Sequence, residues 1–321
     1  MKRLLLLLLM LPAMAWAWEP TRPVTVVIGN APGAGNEIAF RKLSQIINRT
    51  NKKITFVVQN RAGGDSVIAM NHLAQTAPDG HTLGVFNHMS QYVTQDIWQR
   101  DIKRYEYNTF EDVLTIGKSP LVLVAASTSA VNTPDEFATL LRTTKHPVFV
   151  AVGSGAHRIT FEYLMMKTTG NKQLVKHVQF NGPAQAVQSV ASPAGGTEFG
   201  IMPLAVARPL IEAGRVRAIG ITGDRKVAQM PSIPLLRRIA PDINVFAAWN
   251  LVLPPRTDRV IVDYYADLFA RAINTQEYQE WMDQNLVFVD SRELDPDGLR
   301  QHAQELRHSF LPLANQINPN E

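Results

Sequence analysis

Two short stretches carry the residue types that could hold a charged group. Gly29-Asn30-Ala31-Pro32-Gly33-Ala34-Gly35-Asn36 follows an apolar run at 24–28 and opens an amphipathic segment. Gly153-Ser154-Gly155, followed by Ala156, His157 and Arg158, repeats the arrangement after a second apolar run at 148–152. A strand that passes through a glycine turn into a helix directs unpaired backbone N–H groups, and the positive end of the helix dipole, at whatever lies above it. That is chemistry for binding an anion. His157 and Arg158 add side chains that could pair with a distal negative group, and Asn60 and Phe180 are expected to line the same cleft.

Other chemistries fail on spacing. The first loop is no dinucleotide fingerprint, because Ile38 stands where a third glycine is needed, and no Gly-Lys-Ser/Thr follows as in a P-loop. A loop without lysine suits a carboxylate better than a triphosphate. Gly153-Ser154-Gly155 is flanked by Val152 and Ala156 instead of glycines, so Ser154 is no nucleophile elbow. The eight histidines include no H-E-x-x-H. His302 and His308 stand six apart on a helical segment, a spacing that does not bring two rings to one metal. No metal and no cofactor is expected.

The segments that must position these loops alternate between strand and helix, the pattern of βαβ units around parallel sheets. The first series predicts strands at 24–28, 54–58 and 83–86, with helices at 36–48 and 65–75. A second series after Pro120 predicts strands at 121–125, 148–152, 175–180, 199–202 and 216–222. Its first helix begins at Thr133-Pro134-Asp135-Glu136, where Thr133 caps, Pro134 takes the first helical position and Glu136 completes a capping box. Residues 229–241 read as a connecting segment. Trp249 and Asn250 lie where the chain returns to the first series, and beyond Pro255 helices are expected at 258–273, 276–283 and 297–316. Ligands of open parallel sheets sit beyond the carboxyl ends of the strands. The expected fold is therefore α/β in two domains, each a mostly parallel sheet flanked by helices: 18–121 with 250–321, and 122–249. Facing each other, they would set both glycine loops across one cleft.

Bulk properties narrow the setting. Met1-Lys2-Arg3, an apolar run at 4–11 and Ala15-Trp16-Ala17 read as a secretory signal cleaved after residue 17. The apolar stretch is too short for a membrane span, which needs roughly 20 residues. Removing Lys2 and Arg3 takes the formal charge from +4 to +2, too little for a nucleic-acid-binding stripe. With no cysteine, the chain has no disulfide, no thiolate site and no lipid-anchored cysteine. A 45% hydrophobic content supplies the core instead. These features point to a monomeric protein free in the periplasm.

Five segments, in order, resemble the substrate-binding receptors of tripartite tricarboxylate transporters, the Bug family. Ala31-Pro32-Gly33-Ala34-Gly35-Asn36-Glu37 with Arg41 is similar to that family's P-G-G-G-x-D…R segment. Val57-Val58-Gln59-Asn60-Arg61-Ala62-Gly63-Gly64 is similar to V-V-E-N-R-P-G-A, and Pro78-Asp79-Gly80-His81-Thr82-Leu83 to D-G-Y-T-L. Gly153-Ser154-Gly155 matches the second-domain loop, and 178–183 the P-Y-K-G-x-x element. The resemblance implies a two-domain flytrap that closes on a small carboxylate, held by backbone amides of the two glycine loops, and delivers it to a large and a small membrane subunit. On this reading Asn30, Ala31, Gly33, Ala34, Gly35 and Asn36 form one half of the grip, and Ser154, Gly155, Ala156 and His157 the other. The chain departs from the pattern at Ala34, Glu37, Gln59, Asp65, His157 and Arg158. The last two suggest a di- or tricarboxylate. A sensor that presents a carboxylate to a signalling partner would use the same cleft. An exported α/β enzyme would need a catalytic set that the motifs do not supply.

Overall fold

A computed structural model describes residues 18–192 and 194–314; the signal segment lies outside them. Nine strands form two sheets that share one long strand. The first sheet holds β1 (Val24–Ile28), β2 (Phe56–Asn60) and β3 (Thr82–Asn87), and these three pair in parallel. The chain then enters β4 (Glu111–Ala126), the shared strand. The second sheet repeats the parallel trio with β5 (Val148–Val152), β6 (Val175–Gln179) and β7 (Phe199–Pro203), followed by β8 (Val216–Ile221). Finally β9 (Phe246–Leu253) returns to the first sheet and lies antiparallel between β3 and β4.

Strand β4 changes sheets at the Pro120–Leu121 step. Glu111 to Pro120 pair with β9, whereas Leu121 to Ala126 pair with β7 and β8. Each sheet is thus a parallel trio extended on one side by two strands joined through antiparallel pairings. The parallel trios are where the expected βαβ units lie. The antiparallel pairings are made by the shared strand β4, the returning strand β9 and the edge strand β8.

Apolar periodicity explains the helices that cover the sheets. In the Gly35–Thr50 helix, Ala39, Phe40, Leu43, Ile46 and Ile47 are buried, and they join a core with Val24, Val26, Leu251 and Phe269. The Pro134–Thr143 helix starts as its sequence predicts, with the Thr133 hydroxyl accepting the Glu136 N–H at 3.2 Å. The Glu136 carboxylate reaches one residue further back than in a standard box, accepting the Asn132 N–H at 2.6 Å. The C-terminal helix, Pro296–Ala314, does not stay with the first sheet: Ala303, Leu306 and Phe310 pack into the core of the second, with Phe310 edge-on to Tyr163.

Trp249 and Asn250 lie within β9, the strand on which the chain returns to the first sheet. Residues 88–98, unassigned in the sequence reading, form a π-helical stretch at Ser90–Thr94 continuing as a short helix, Gln95–Trp98. A buried polar network ties this segment to the crossing strands. Asp112 on β4 accepts from the Tyr92 hydroxyl at 2.7 Å and the Gln91 amide at 2.9 Å, and Asn250 on β9 donates to Tyr92 at 2.7 Å. Burial pushes the Asp112 carboxyl up to about 6, against the two hydrogen bonds that favour its charge.

A raised carboxyl pKa means that the fold prefers the protonated acid. The associated stabilisation is complete below the ordinary value near ~4 and is lost as pH rises through 6. Asp112→Asn keeps an oxygen for both donors and removes the charge. Urea unfolding at pH 4.5, 6 and 7.5 is expected to show the variant gaining on the wild type as pH rises, by about 2 kcal/mol across this range. A difference that stays flat across this range would contradict the burial argument.

Candidate functional site

The two glycine loops face each other across a cavity of about 600 Å³ between the sheets. Its first wall is Gly29, Asn30 and Ala31 after β1, with 62–66 after β2. The second wall is Gly153, Ser154 and Gly155 after β5, with Arg158, and 179–182 after β6. Every one of these loops leaves the carboxyl end of a parallel strand, the general position for ligand capture in such sheets. Thr94, Trp98 and Gln99, from the π-helical segment and its continuation, close the side.

Close backbone approach is what demands glycine here. A Cβ on Gly153 would lie 2.5 Å from the Gly182 carbonyl carbon, and one on Gly29 would lie 2.4 Å from the Ser66 side chain. The loops are also tied strand to strand. Arg61 N–H donates to the Ile28 carbonyl, Phe180 N–H to the Val152 carbonyl, each at 2.8 Å, and the Ser66 hydroxyl to the Gly29 carbonyl at 3.2 Å.

Of the residues singled out in the sequence, Asn30, Ala31, Ser154, Gly155, Arg158 and Phe180 line the cavity. Gly33, Ala34, Gly35, Asn36, Asn60, Ala156 and His157 are not among the lining residues. Each has a physical reason for standing back. The Gly33 N–H donates to Glu37 Oε2 at 2.9 Å, and the Ala34 N–H turns to the Ala31 carbonyl at 3.3 Å, so these amides serve the loop itself. Gly35 lies against Trp249, whose ring leaves no room for a Cβ. Asn36 is buried, with its amide donating to Asn30 Oδ1 at 2.8 Å. The Asn60 amide binds the Asn30 carbonyl at 2.9 Å and Glu37 Oε2 at 3.2 Å. Ala156 is buried in the core of the second sheet. His157 turns inward, where its Nδ1 accepts the Gly153 N–H at 3.2 Å. Burial lowers its pKa to about 3, so it is neutral near pH 7. Between the two expected cations, only Arg158 reaches the cavity.

Several lining residues were not anticipated: Ala62, Gly63, Gly64, Asp65, Ser66, Thr94, Trp98, Gln99, Gln179, Asn181 and Gly182. The helix that carries Trp98 had a readable signal, since Met89, Tyr92, Val93 and Ile97 fall at helical spacing and are all buried. Asp65 and Ser66 read as the first residues of a helix but adopt left-handed backbone conformations, φ 51° and 79°. The helix itself starts at Val67.

Two lining residues, Arg158 and Trp98, bury polar atoms behind the cavity wall. Arg158 Nε, Arg158 Nη2 and Trp98 Nε1 are buried atoms with no hydrogen-bond partner among the described residues, and both residues line the cavity. Burial lowers the Arg158 pKa, partly offset by the nearby Glu162 carboxylate, and the guanidinium lies 4.5 Å from the Trp98 ring centroid. A buried donor left unpaired costs about 1–3 kcal/mol, more when charged. The cavity lining thus holds one cation, Arg158, in the second wall and one buried carboxyl group, Asp65, in the first. Among the described residues, no group of three or more His, Cys, Asp or Glu side chains could hold a metal ion.

The first loop is braced by Glu37. Burial disfavours its charge, but the Arg41 guanidinium, the Gly33 amide and the Asn60 amide outweigh that, holding the carboxyl below its usual range. Glu37→Ala leaves those donors without their acceptor. Equilibrium unfolding at pH 7 is expected to show a loss of about 1–3 kcal/mol, shrinking as pH falls through the depressed pKa. A loss under about 0.5 kcal/mol, the range of ordinary surface changes, would show that the loop holds without it.

Comparison with known proteins agrees with this geometry. The model of the tripartite tricarboxylate transporter family receptor matches residues 45–308. A relative from Cupriavidus necator, the "UPF0065 protein in gbd 5'region", is 26% identical over 276 residues, covering 84% of this chain and 80% of its own. MatC of Rhodopseudomonas palustris, solved with bound malate, superposes with a TM-score of 0.82 at 22% identity, covering 92% of this chain and 100% of its own. A second R. palustris protein, Rpa4515, solved with adipate, gives 0.83 at 19% identity, covering 92% and 97%. These likenesses show a two-domain periplasmic-binding-protein fold.

Proposed function

Since the chain belongs to the tripartite tricarboxylate transporter receptor family, we propose that it captures a small organic carboxylate in this cleft, a di- or tricarboxylate by preference. On this reading it is a periplasmic receptor that hands its ligand to a large and a small membrane subunit, and it catalyses no reaction. Its lobes are 18–121 with 250–321, and 122–249, and Asn30, Ala31, Ser154, Gly155, Arg158 and Phe180 contribute to the grip. No described helix is long and apolar enough to cross a membrane.

The observation that carries the reading is the pair of glycine loops leaving the carboxyl ends of β1 and β5 on opposite sides of one cavity, with Arg158 among its lining residues. Malate in MatC and adipate in Rpa4515 lend support as to ligand class. The energetics suffice. Hydrogen bonds to a charged group contribute about 1.5–3 kcal/mol each, and micromolar capture needs about −8 kcal/mol. Three or four such bonds reach that value if closing the lobes costs little.

The test is a thermal-shift screen of mono-, di- and tricarboxylates, amino acids and sugars against the mature chain, followed by calorimetry. A ligand at a hundred times its Kd stabilises by about 2.7 kcal/mol, which corresponds to roughly 4 °C in Tm for a protein of this size. The expected outcome is a shift of that order with at least one di- or tricarboxylate and none with sugars. If no organic acid shifts Tm or releases heat, the receptor reading is wrong.

A further inference from the structure

The charges that line the cleft are divided between its walls and do not neutralise each other. Arg158 in the second wall lies against the Trp98 ring and feels the Glu162 carboxylate. Asp65 in the first wall has no cation among the groups that act on its charge. Burial pushes its pKa up, opposed by the Thr94 hydroxyl and the Gly155 amide. The other residues that line the cavity are neutral. A carboxylate enclosed without a counter-ion is costly, and a cation brought within reach relieves the cost.

Neighbouring elements fix Asp65 at the wall. Its Oδ2 accepts from the Thr94 hydroxyl at 2.8 Å and lies 2.5 Å from where a Cβ on Gly155 would stand. Its main-chain carbonyl accepts from the Gln95 amide, and Gln95 is held in turn by the Tyr105 hydroxyl at 2.6 Å. The backbone here is left-handed, φ 51°, a state that glycine adopts freely and aspartate at a cost. Arg158 Nε and Nη2 are sealed behind the second wall, whereas Asp65 is partly exposed and lines the cavity. A negative group is thus held within reach of whatever enters.

We propose that Asp65 receives an ammonium group of the guest, so that the cleft takes carboxylates that also carry an amine in preference to plain acids. The proposal rests on the receptor reading above and narrows it. The carboxylate of the guest goes to the glycine loops, where main-chain N–H groups and helix starts favour an anion. Its ammonium donates to Asp65, and a hydrogen bond between two charges inside a cavity is stronger than the same bond in water. Selection is by sign. A plain acid would leave Asp65 uncompensated and set two negative groups in one cavity.

Calorimetry with matched pairs tests this: succinate against L-aspartate, and glutarate against L-glutamate. In the better-bound pair the amine-bearing member is expected to bind about tenfold tighter or more. Asp65→Asn keeps the size of the side chain and tolerates a left-handed backbone, and should cut that preference to about threefold or less by weakening the amine-bearing member. Asp65→Gly carries no backbone strain and should do the same. Malate, with a hydroxyl where aspartate has its amine, is the neutral control and should gain less over succinate than aspartate does. A wild type that binds each plain acid as tightly as its amine-bearing partner would overturn the proposal and leave the receptor reading standing. So would a preference that survives in both variants, or a gain for malate equal to that for aspartate. A wild type that binds no organic acid, with or without an amine, would instead remove the receptor reading, and this inference with it.

Discussion

Everything at the cleft depends on one strand passing from one sheet into the other. Because β4 pairs with β9 up to Pro120 and with β7 and β8 from Leu121, the two parallel trios are locked in a fixed relation through main-chain hydrogen bonds. The carboxyl ends of β1 and β2 then face those of β5 and β6, and four loops with spare backbone donors meet over a single cavity. Neither trio alone encloses anything.

This crossing strand has to bury polar residues, and the rest of the molecule is arranged to satisfy them. Asp112 is met by Gln91 and Tyr92, Thr115 by His88 at 3.1 Å, and Lys118 by Glu293 at 2.8 Å, with Asn250 on β9 closing the network at 0% exposure. Burying a charge or an amide is tolerable only with partners in place. The segment at 88–98 therefore has two duties. One side satisfies β4, and its far end supplies Trp98 and Thr94 to the cavity wall.

What could be read from the sequence follows the same division. The strand–glycine–helix units at 24–50 and 148–167 were legible because period and turn chemistry are local, and so was the arrangement that sets Ala31 against Ser154 and Gly155. The first half of β4 was not, since Glu111, Asp112, Thr115, Lys118, Ser119 and Pro120 look like a polar loop until distant partners are known. Glu37 was legible as a dipole-complementing acid, but its reach back to the Gly33 amide depends on side-chain length in three dimensions. Asp65 stood out only as a departure from a glycine pattern, and its seat against Gly155 crosses between walls that no local rule connects. Arg158 could be named, though nothing in the sequence could tell that its guanidinium would be half-buried against the Trp98 ring.

The helix at Pro296–Ala314 follows the return of the chain on β9 to the first sheet, yet it inserts Leu306 and Phe310 into the core of the second. It is a tie between the two sheets made of side chains instead of main-chain bonds, with Phe310 set edge-on against Tyr163. Interdigitated cores resist gradual deformation and shift between discrete packings. The spacing of the two sheets is accordingly set in part by a C-terminal helix that lies outside the cavity lining.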